Sequence, residues 1–357
     1  MTNPNARTAR TAEINHATKS ARLSYVTDDS SGITRHRHGS SFVYQRPGGQ
    51  ILTDPAALDR IRKLAIPPAW EDVWICPKPR GHIQAVGRDA RGRKQYKYHA
   101  DWRVARDGYK YNHVLDFARA LPTIRRVTSR HLRKRGLPRE KVLAAVVQVM
   151  EKTLIRIGND EYARTNHSFG LTTLRNRHAT VRAKKITFNF RGKSGVEHEI
   201  DLRDAKLAAI VKKCQELPNH DLFNYVDETG QVKDISSTDV NDYLREIAGK
   251  EFTAKDFRTW GGTVLAAKAL KAMESEGSKT AIRRNMLAAI DKVAERLGNT
   301  KAVCRKCYIH PAVLEAYIDG DLARRLRGRV REELKIATRF ALDNEEASVL
   351  RMLERGL

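Results

Sequence analysis

The hydrophobic pattern changes period near Asp107, and this change limits the chain to a fold with two differently built parts. Upstream, apolar residues come in short runs separated by turn residues. "SSFVYQRPGGQILTD" places two such runs around Pro47-Gly48-Gly49, a hairpin signal. Asp54 followed by Pro55 reads as an N-cap with proline at the first helical position, opening a short helix through "AALDRIRKL". "DVWIC", "GHIQAVGRD" and "KQYKYHADW" read as strands, the last two joined by the turn "ARGR".

Downstream the spacing is helical. "DGYKYNHVLDFARAL" is followed by Pro122, and "PREKVLAAVVQVMEKTLIRIG" reads as one long helix from Pro138 to a stop at Gly158. Residues 184–202 interrupt this trend. Ile186, Phe188 and Phe190, then Val196, His198, Ile200 and Leu202, alternate with polar residues, which predicts a β-hairpin with "RGKSG" at its tip. Further helices are expected at 203–217, 237–248, 253–275, 278–297, 311–319, 321–336 and 343–355, and the short stretch holding Cys304 and Cys307 also reads as helical. The fold class is α+β. It comprises a basic flexible tail over 1–25, a β-rich domain over 26–106 and a mainly helical domain over 107–357.

The 357 residues carry a formal net charge of +25. Such an excess repels itself and calls for a polyanion, with nucleic acid ahead of an anionic membrane surface. The membrane reading lacks a long apolar run, a basic amphipathic anchor or a lipidation signal. The polar start has no secretory apolar core. Four cysteines, at 76, 214, 304 and 307, make no disulfide framework in a chain of this length, which fits a reducing cytoplasm. The run 125–139 holds seven Arg or Lys and no acid, and reads either as a solvated surface or as a patch facing phosphates.

Chemistry-bearing candidates are few. In "VCRKCYIHPAVLEAY", Cys304 and Cys307 have the spacing of half a metal site, but no second C-x-x-C exists to complete four ligands. Small buried cysteines are the better reading. His310 and Pro311 would end one helix and start the next, with Tyr308 just before them. A lone tyrosine is more commonly core than nucleophile. Lys193, at a hairpin tip between glycines, is an ordinary turn lysine unless it reaches into a separate site, where it could give up a proton. Lys255 and Arg258 share one helix face that suits a phosphate, or simply water. Arg156, between Ile155 and Ile157 near a helix end, calls for an anionic partner, which a structural salt bridge would also supply.

In chain order these are Arg156, Lys193, Arg258 and Tyr308. Together with "RKQYKYHADWRVARDGYKY", "RIGNDEYARTNHSFGLTTLRNRH", "FRGKSG", "KDFRTWGGT" and "NTKAVCRKCYIHP", they resemble the type IB DNA topoisomerases, in the short poxvirus-like branch found in bacteria. The resemblance runs from about Ile66 to Tyr317. It implies that Tyr308 is the nucleophile forming a 3′-phosphotyrosyl link, that Arg156 and Arg258 clamp the scissile phosphate, and that Lys193 protonates the leaving 5′-oxygen. Asn299, nine residues before Tyr308, stands where many eukaryotic and poxviral members carry histidine. It can donate a hydrogen bond but cannot shuttle a proton. Gln95, Tyr96 and Tyr98 match DNA-contact positions of that branch, and Tyr162 and Lys255 are further candidates for contact.

The implied enzyme is a monomeric clamp around duplex DNA, cytoplasmic and nucleoid-associated, that nicks one strand, lets it rotate and reseals it. Supercoils of both signs relax without ATP, metal or cofactor. Two other readings share parts of this pattern. A tyrosine recombinase uses a similar Arg, Lys, Arg, Tyr set, and a non-enzymatic basic protein would bind nucleic acid through charge alone.

Overall fold

The computed structural model describes residues 18–273, 278–327 and 340–355. It falls into two compact units, residues 1–112 and 113–357.

The first unit is built on a five-stranded antiparallel sheet in the order β2-β1-β3-β4-β5: β1 is Ile33–His38, β2 Ser41–Gln45, β3 Glu71–Ile75, β4 Ile83–Arg88 and β5 Lys94–Tyr98. Helix α1 (Pro55–Lys63) begins as expected, with the Asp54 carboxylate accepting from the N–H groups of Ala56 and Ala57. Ile33, Leu52, Ile61, Val73, Ile75 and Ala85 form the core. The main hairpin differs from the expected one. It joins β1 to β2 through Gly39-Ser40, while Pro47-Gly48-Gly49 closes only a bridge between Gln45 and Ile51. The sequence "ITRHRH" hides β1 because Ile33 is its one aliphatic residue. Its Arg35 is held on the sheet instead, donating to the carbonyls of Pro67 and Trp70 and lying 4.2 Å from the Phe42 ring centroid.

Of the basic tail expected over 1–25, residues 1–17 lie outside the described residues. Within 18–25, Leu23 is buried against Trp102, and Arg80 donates to the carbonyls of Ala21 and Arg22.

The strand expected over "KQYKYHADW" stops at Tyr98, and α2 (Ala100–His131) starts within it. This 32-residue helix runs past Asp107 and through Pro122, where the sequence predicted an end. Proline costs a helix interior roughly 3 kcal/mol. Phe117, Ala118, Leu121 and Ile124, all buried on one face, hold the helix together across it.

In the second unit, α3 (Arg139–Thr153) is the central element, with Val142–Val147 fully buried. It does not continue to Gly158: Leu154 adopts the left-handed conformation (φ 59°) and the chain leaves extended. A short helix, α4 (Asp160–Asn166), follows. The predicted hairpin is present as β7 (Lys185–Arg191) and β8 (Glu197–Arg203), paired from Lys185–Arg203 to Arg191–Glu197, with β6 (Ala179–Arg182) alongside β7. Helices α5 (Ala205–Gln215), α6 (Ser237–Ala248), α7 (Ala254–Lys271), α8 (Lys279–Leu297), α9 (Lys301–Cys307) and α10 (Pro311–Ile318) lie close to their expected spans. Helix α11 (Leu322–Leu326) covers the start of the helix expected at 321–336, most of which lies outside the described residues, and α12 is Asn344–Glu354. The strand pair Asn224–Val226 and Val232–Asp234, before α6, has no sequence signal of its own.

The basic run 125–139 is no uniform phosphate-facing patch. Arg125 is turned inward, bound to Glu151 at 2.6 Å and to Glu346 at 2.8 Å, which ties α2 and α3 to α12. Arg139 pairs with Asp239 and Lys134 with Glu140. Burial holds the Glu151 carboxyl above the usual range even beside Arg125. Replacing Arg125 by alanine should therefore leave two carboxylates without their cation and cost about 3–5 kcal/mol in urea unfolding. Glu151→Gln in the same background should recover part of the loss.

Candidate active site

Four of the five residues singled out for catalysis line one cavity of about 640 Å³ in the second unit: Arg156, Lys193, Arg258 and Tyr308, together with Tyr162 and Lys255. Asn299 lies beside it, bound to Arg156. Gln95, Tyr96 and Tyr98 belong to the first unit.

Each side chain is placed by a different local device. Arg156 sits on the extended segment after α3, not on a helix. Its carbonyl accepts from the Leu171 N–H at 2.9 Å, and the next carbonyl, of Ile157, accepts from the Thr172 N–H at 2.7 Å. Arg258 is on α7, which opens with a reciprocal cap between Thr253 and Asp256, so the acid one residue after Lys255 is consumed by the helix start. Lys193 occupies the hairpin tip, exposed, with Ser194 and Gly195 in the left-handed region. It has no ion pair among the described residues.

Tyr308 caps α9, and the Ile309-His310-Pro311 corner sends the chain directly into α10, with the His310 ring accepting from the Ala312 N–H. Cys304 is fully buried beneath this corner and Cys307 is partly so. The main chain of Tyr308 rests on α7. Its carbonyl is so close to Gly262 that a methyl group there would meet it at 2.7 Å. The Thr263 hydroxyl lies 3.4 Å from the same carbonyl and accepts from the His310 N–H at 3.1 Å.

The two arginines decide the electrostatics. Arg258 is 5 % exposed, yet among the described residues it has no carboxylate partner. It donates to the carbonyls of Leu154 and Leu297, the latter at 2.7 Å. Arg156 donates to the Gly298 carbonyl at 2.8 Å and to Asn299 Oδ1 at 2.7 Å, again without an acid. Among the described residues no acid fills the anionic role that its sequence context called for; its hydrogen bonds go to a backbone carbonyl and the Asn299 amide oxygen. Burial, then repulsion from Arg156, lower Arg258 to about 10, with Tyr308 acting in the opposite direction; it remains charged at neutral pH. The Arg258 guanidinium carbon lies 5.3 Å from the Tyr308 ring centroid. Asn299 accepts through Oδ1, so its Nδ2 is a buried donor with no acceptor among the described residues.

Paired but unneutralised cations, a phenol against them, a free ammonium on a turn and a poised amide suit a phosphodiester whose oxygens gain charge. Arg191, Asn159 and Asn166 also line the cavity and were not anticipated. Arg191 could have been found, since it opens the "RGKSG" tip; the two asparagines carry no signal in sequence. In the first unit, Tyr96 and Tyr98 stack with centroids 5.9 Å apart, and Tyr98 stacks on Trp102. The Gln95 amide donates to Asp89 at 3.0 Å.

Comparison with known proteins gives a consistent result. Residues 99–330 match the family described as eukaryotic DNA topoisomerase I, catalytic core, and residues 41–89 match the bacterial DNA topoisomerase IB N-terminal domain. The chain is 32% identical over 293 residues to the DNA topoisomerase 1B of Acanthamoeba polyphaga mimivirus, covering 80% of this chain and 87% of the viral one. It is 24% identical over 243 residues to the DNA topoisomerase 1B of Vaccinia virus (strain Western Reserve) and to the DNA topoisomerase I of Monkeypox virus, in each case 66% of this chain and 72% of the other.

If the arginine pair is an anion site, inorganic phosphate at constant ionic strength should raise the thermal midpoint. The increment should vanish in Arg156→Gln. An equal rise in both proteins would place the anion elsewhere.

Proposed function

The chain belongs to the type IB DNA topoisomerases, and from that premise we propose how its own residues divide the reaction. The Tyr308 oxygen attacks a backbone phosphorus and forms the phosphotyrosyl bond as the bond to the 5′-oxygen breaks. The phenolic proton goes to water, and the Lys193 ammonium supplies a proton to the departing 5′-oxygen. Arg156, Arg258 and the Asn299 amide hold the non-bridging oxygens as their charge grows. Resealing runs the same steps backwards, and the phosphotyrosyl ester conserves the bond energy, so ATP has no part in it.

The observation that carries this reading is the pair of guanidiniums left without acids. An arginine paired to a carboxylate would have its charge spent before DNA arrived. Here both donate to carbonyl and amide oxygens, dipoles that leave their charge in place. Removing one such donor from a transition state costs roughly 10²–10³ in rate.

Duplex DNA is the substrate. We assign Gln95, Tyr96 and Tyr98 to its contact, with Tyr162 and Lys255 at the cleavage cavity. Tyr96 is 41% exposed and flanked by Lys94, 5.8 Å from its ring centroid, which suits a phosphate or a base edge. The protein works as a monomer on chromosomal DNA, in the cytoplasm, and binding weakens steeply with salt. A tyrosine recombinase reading is not favoured: the second arginine lies in Lys255-x-x-Arg258 rather than His-x-x-Arg, and the relatives named above are topoisomerases.

Two experiments test the assignment. In supercoil relaxation without ATP and with EDTA, the wild type should act as dilute monomer and give no recombinant products. Tyr308→Phe should bind duplex normally yet form no covalent adduct; an adduct from that variant would displace Tyr308 as nucleophile. Lys193→Ala should slow cleavage strongly, and a 5′-thiolate leaving group, which needs no proton, should restore most of the rate. Equal slowing on both substrates would remove the acid role.

A further inference from the structure

His198 lies on β8, the strand that returns from the Lys193 turn, and is partly buried. Its ring stacks on Phe190 across the hairpin, with centroids 5.0 Å apart and planes 24° apart. Two glycines make room for it. A methyl group at Gly298 would lie 2.2 Å from His198 Cε1, and one at Gly192 would lie 2.6 Å from Cδ2. Gly192 immediately precedes Lys193. Gly298 supplies the carbonyl that accepts from Arg156 and immediately precedes Asn299. One imidazole therefore packs against the main chain of both halves of the site, the turn with the acid and the corner with the phosphate donors.

We propose that His198 is a positioning residue whose neutral ring sets the spacing between the Lys193 turn and the Gly298–Asn299 corner, so that acid and clamp converge on one phosphate. The proposal rests on the cleavage chemistry assigned above and adds a residue that touches neither DNA nor the reacting atoms.

The surroundings require that the ring be neutral. Arg156 faces it from the segment after α3, Arg258 from α7, and Arg296 of α8 lines the same small void. Glu197, on its own strand, acts on it in the opposite sense. Burial, followed by Arg156 and Arg258, holds the imidazole below its ordinary range. A base so depressed is uncharged at neutral pH and gains its proton only in more acid solution. A fourth positive charge in this nest would repel the arginines. Cleavage in the wild type should therefore fall more steeply than in a variant lacking this imidazole as pH drops through the depressed value.

The experiment is single-turnover formation of the covalent adduct on a suicide duplex, followed across pH, with duplex affinity and thermal midpoint measured alongside. His198→Ala should slow cleavage on the order of 10–100-fold, the scale of a misplaced catalytic group, with duplex affinity unchanged. His198→Phe, which keeps the stack without a titratable nitrogen, should recover most of the loss and show a shallower fall at low pH than the wild type. Gly298→Ala should be damaging in the wild type and much less so beside His198→Ala, where the methyl has room. The strain of alanine at φ +56° is common to both backgrounds and cancels in the cycle.

Wild-type rates in His198→Ala, independent effects of the two substitutions, or an equally steep low-pH fall in His198→Phe would overturn the proposal. Should His198→Ala fail to fold, the pH profile of His198→Phe against the wild type still decides it. A wild type that forms no adduct at all would instead sink the cleavage chemistry itself.

Discussion

Two helices end facing the same pair of arginines, and the site depends on that junction. Helix α3 stops at Leu154 and α8 stops at Leu297, with left-handed residues at Leu154 and Gly298 closing each. The last carbonyls of a helix have no partner within it and carry the negative end of its dipole. Here three of them, from Leu154, Leu297 and Gly298, accept from Arg258 and Arg156. The guanidiniums serve as C-caps, and the helix ends offset some of the cost of burying two like charges without cancelling either. A carboxylate in the same place would be cheaper for folding and ruinous for chemistry. Arg258, depressed by burial and by its neighbour, is a group held in an unfavourable state that an incoming phosphate relieves. Its interaction with DNA therefore grows in the direction in which the reaction moves charge.

The rest of the second unit can be understood as support for this junction. Helix α3 buries Val142–Val147, Val149 and Met150 completely, so its C-terminus is fixed by packing along its length. The nucleophile reaches the arginines from a third helix end, α9, and its main chain is pressed on Gly262 where no larger residue fits. At that helix end the Tyr308 ring centroid lies 5.3 Å from the Arg258 guanidinium carbon. Lys193 alone stands on a turn with no ionic tether, as a group that must approach and withdraw from the leaving oxygen can.

Much of this was legible in sequence, and the gaps have physical causes. The β7–β8 hairpin was clear because its apolar residues alternate without interruption, and α1 because Asp54-Pro55 is both cap and first turn. Strand β1 was invisible because Arg35 packs on an aromatic ring and carbonyls where an aliphatic residue would ordinarily be expected. Helix α2 was cut short at Pro122 because local propensity argues for a stop, while the buried face on either side overrides it. The basic run 125–139 looked free because the acids that bind Arg125 and Arg139 lie 26 to 221 residues away. Arg156 was placed on a helix because periodicity cannot foresee a left-handed Leu154. Its lack of an acidic partner could not be read either, since carbonyl acceptors carry no sequence signature. What identified the site was the ordered set of Arg156, Lys193, Arg258 and Tyr308, not any one of them.

Asn299 shows how the charge balance constrains what each position can hold. Its Oδ1 accepts from Arg156, which fixes the amide and leaves Nδ2 as the donor. A protonated histidine has no acceptor to offer, so in that position it could not receive the Arg156 N–H and would add a positive charge beside it. An amide offers the acceptor and the donor at once, with no charge and no titration. The one histidine packed in this nest is His198, and burial together with the two arginines favours its neutral form. Asparagine at one corner and an uncharged imidazole beneath the other are two answers to the same problem, which is to pack against a concentrated positive field without adding to it. The field is thereby kept for the phosphate.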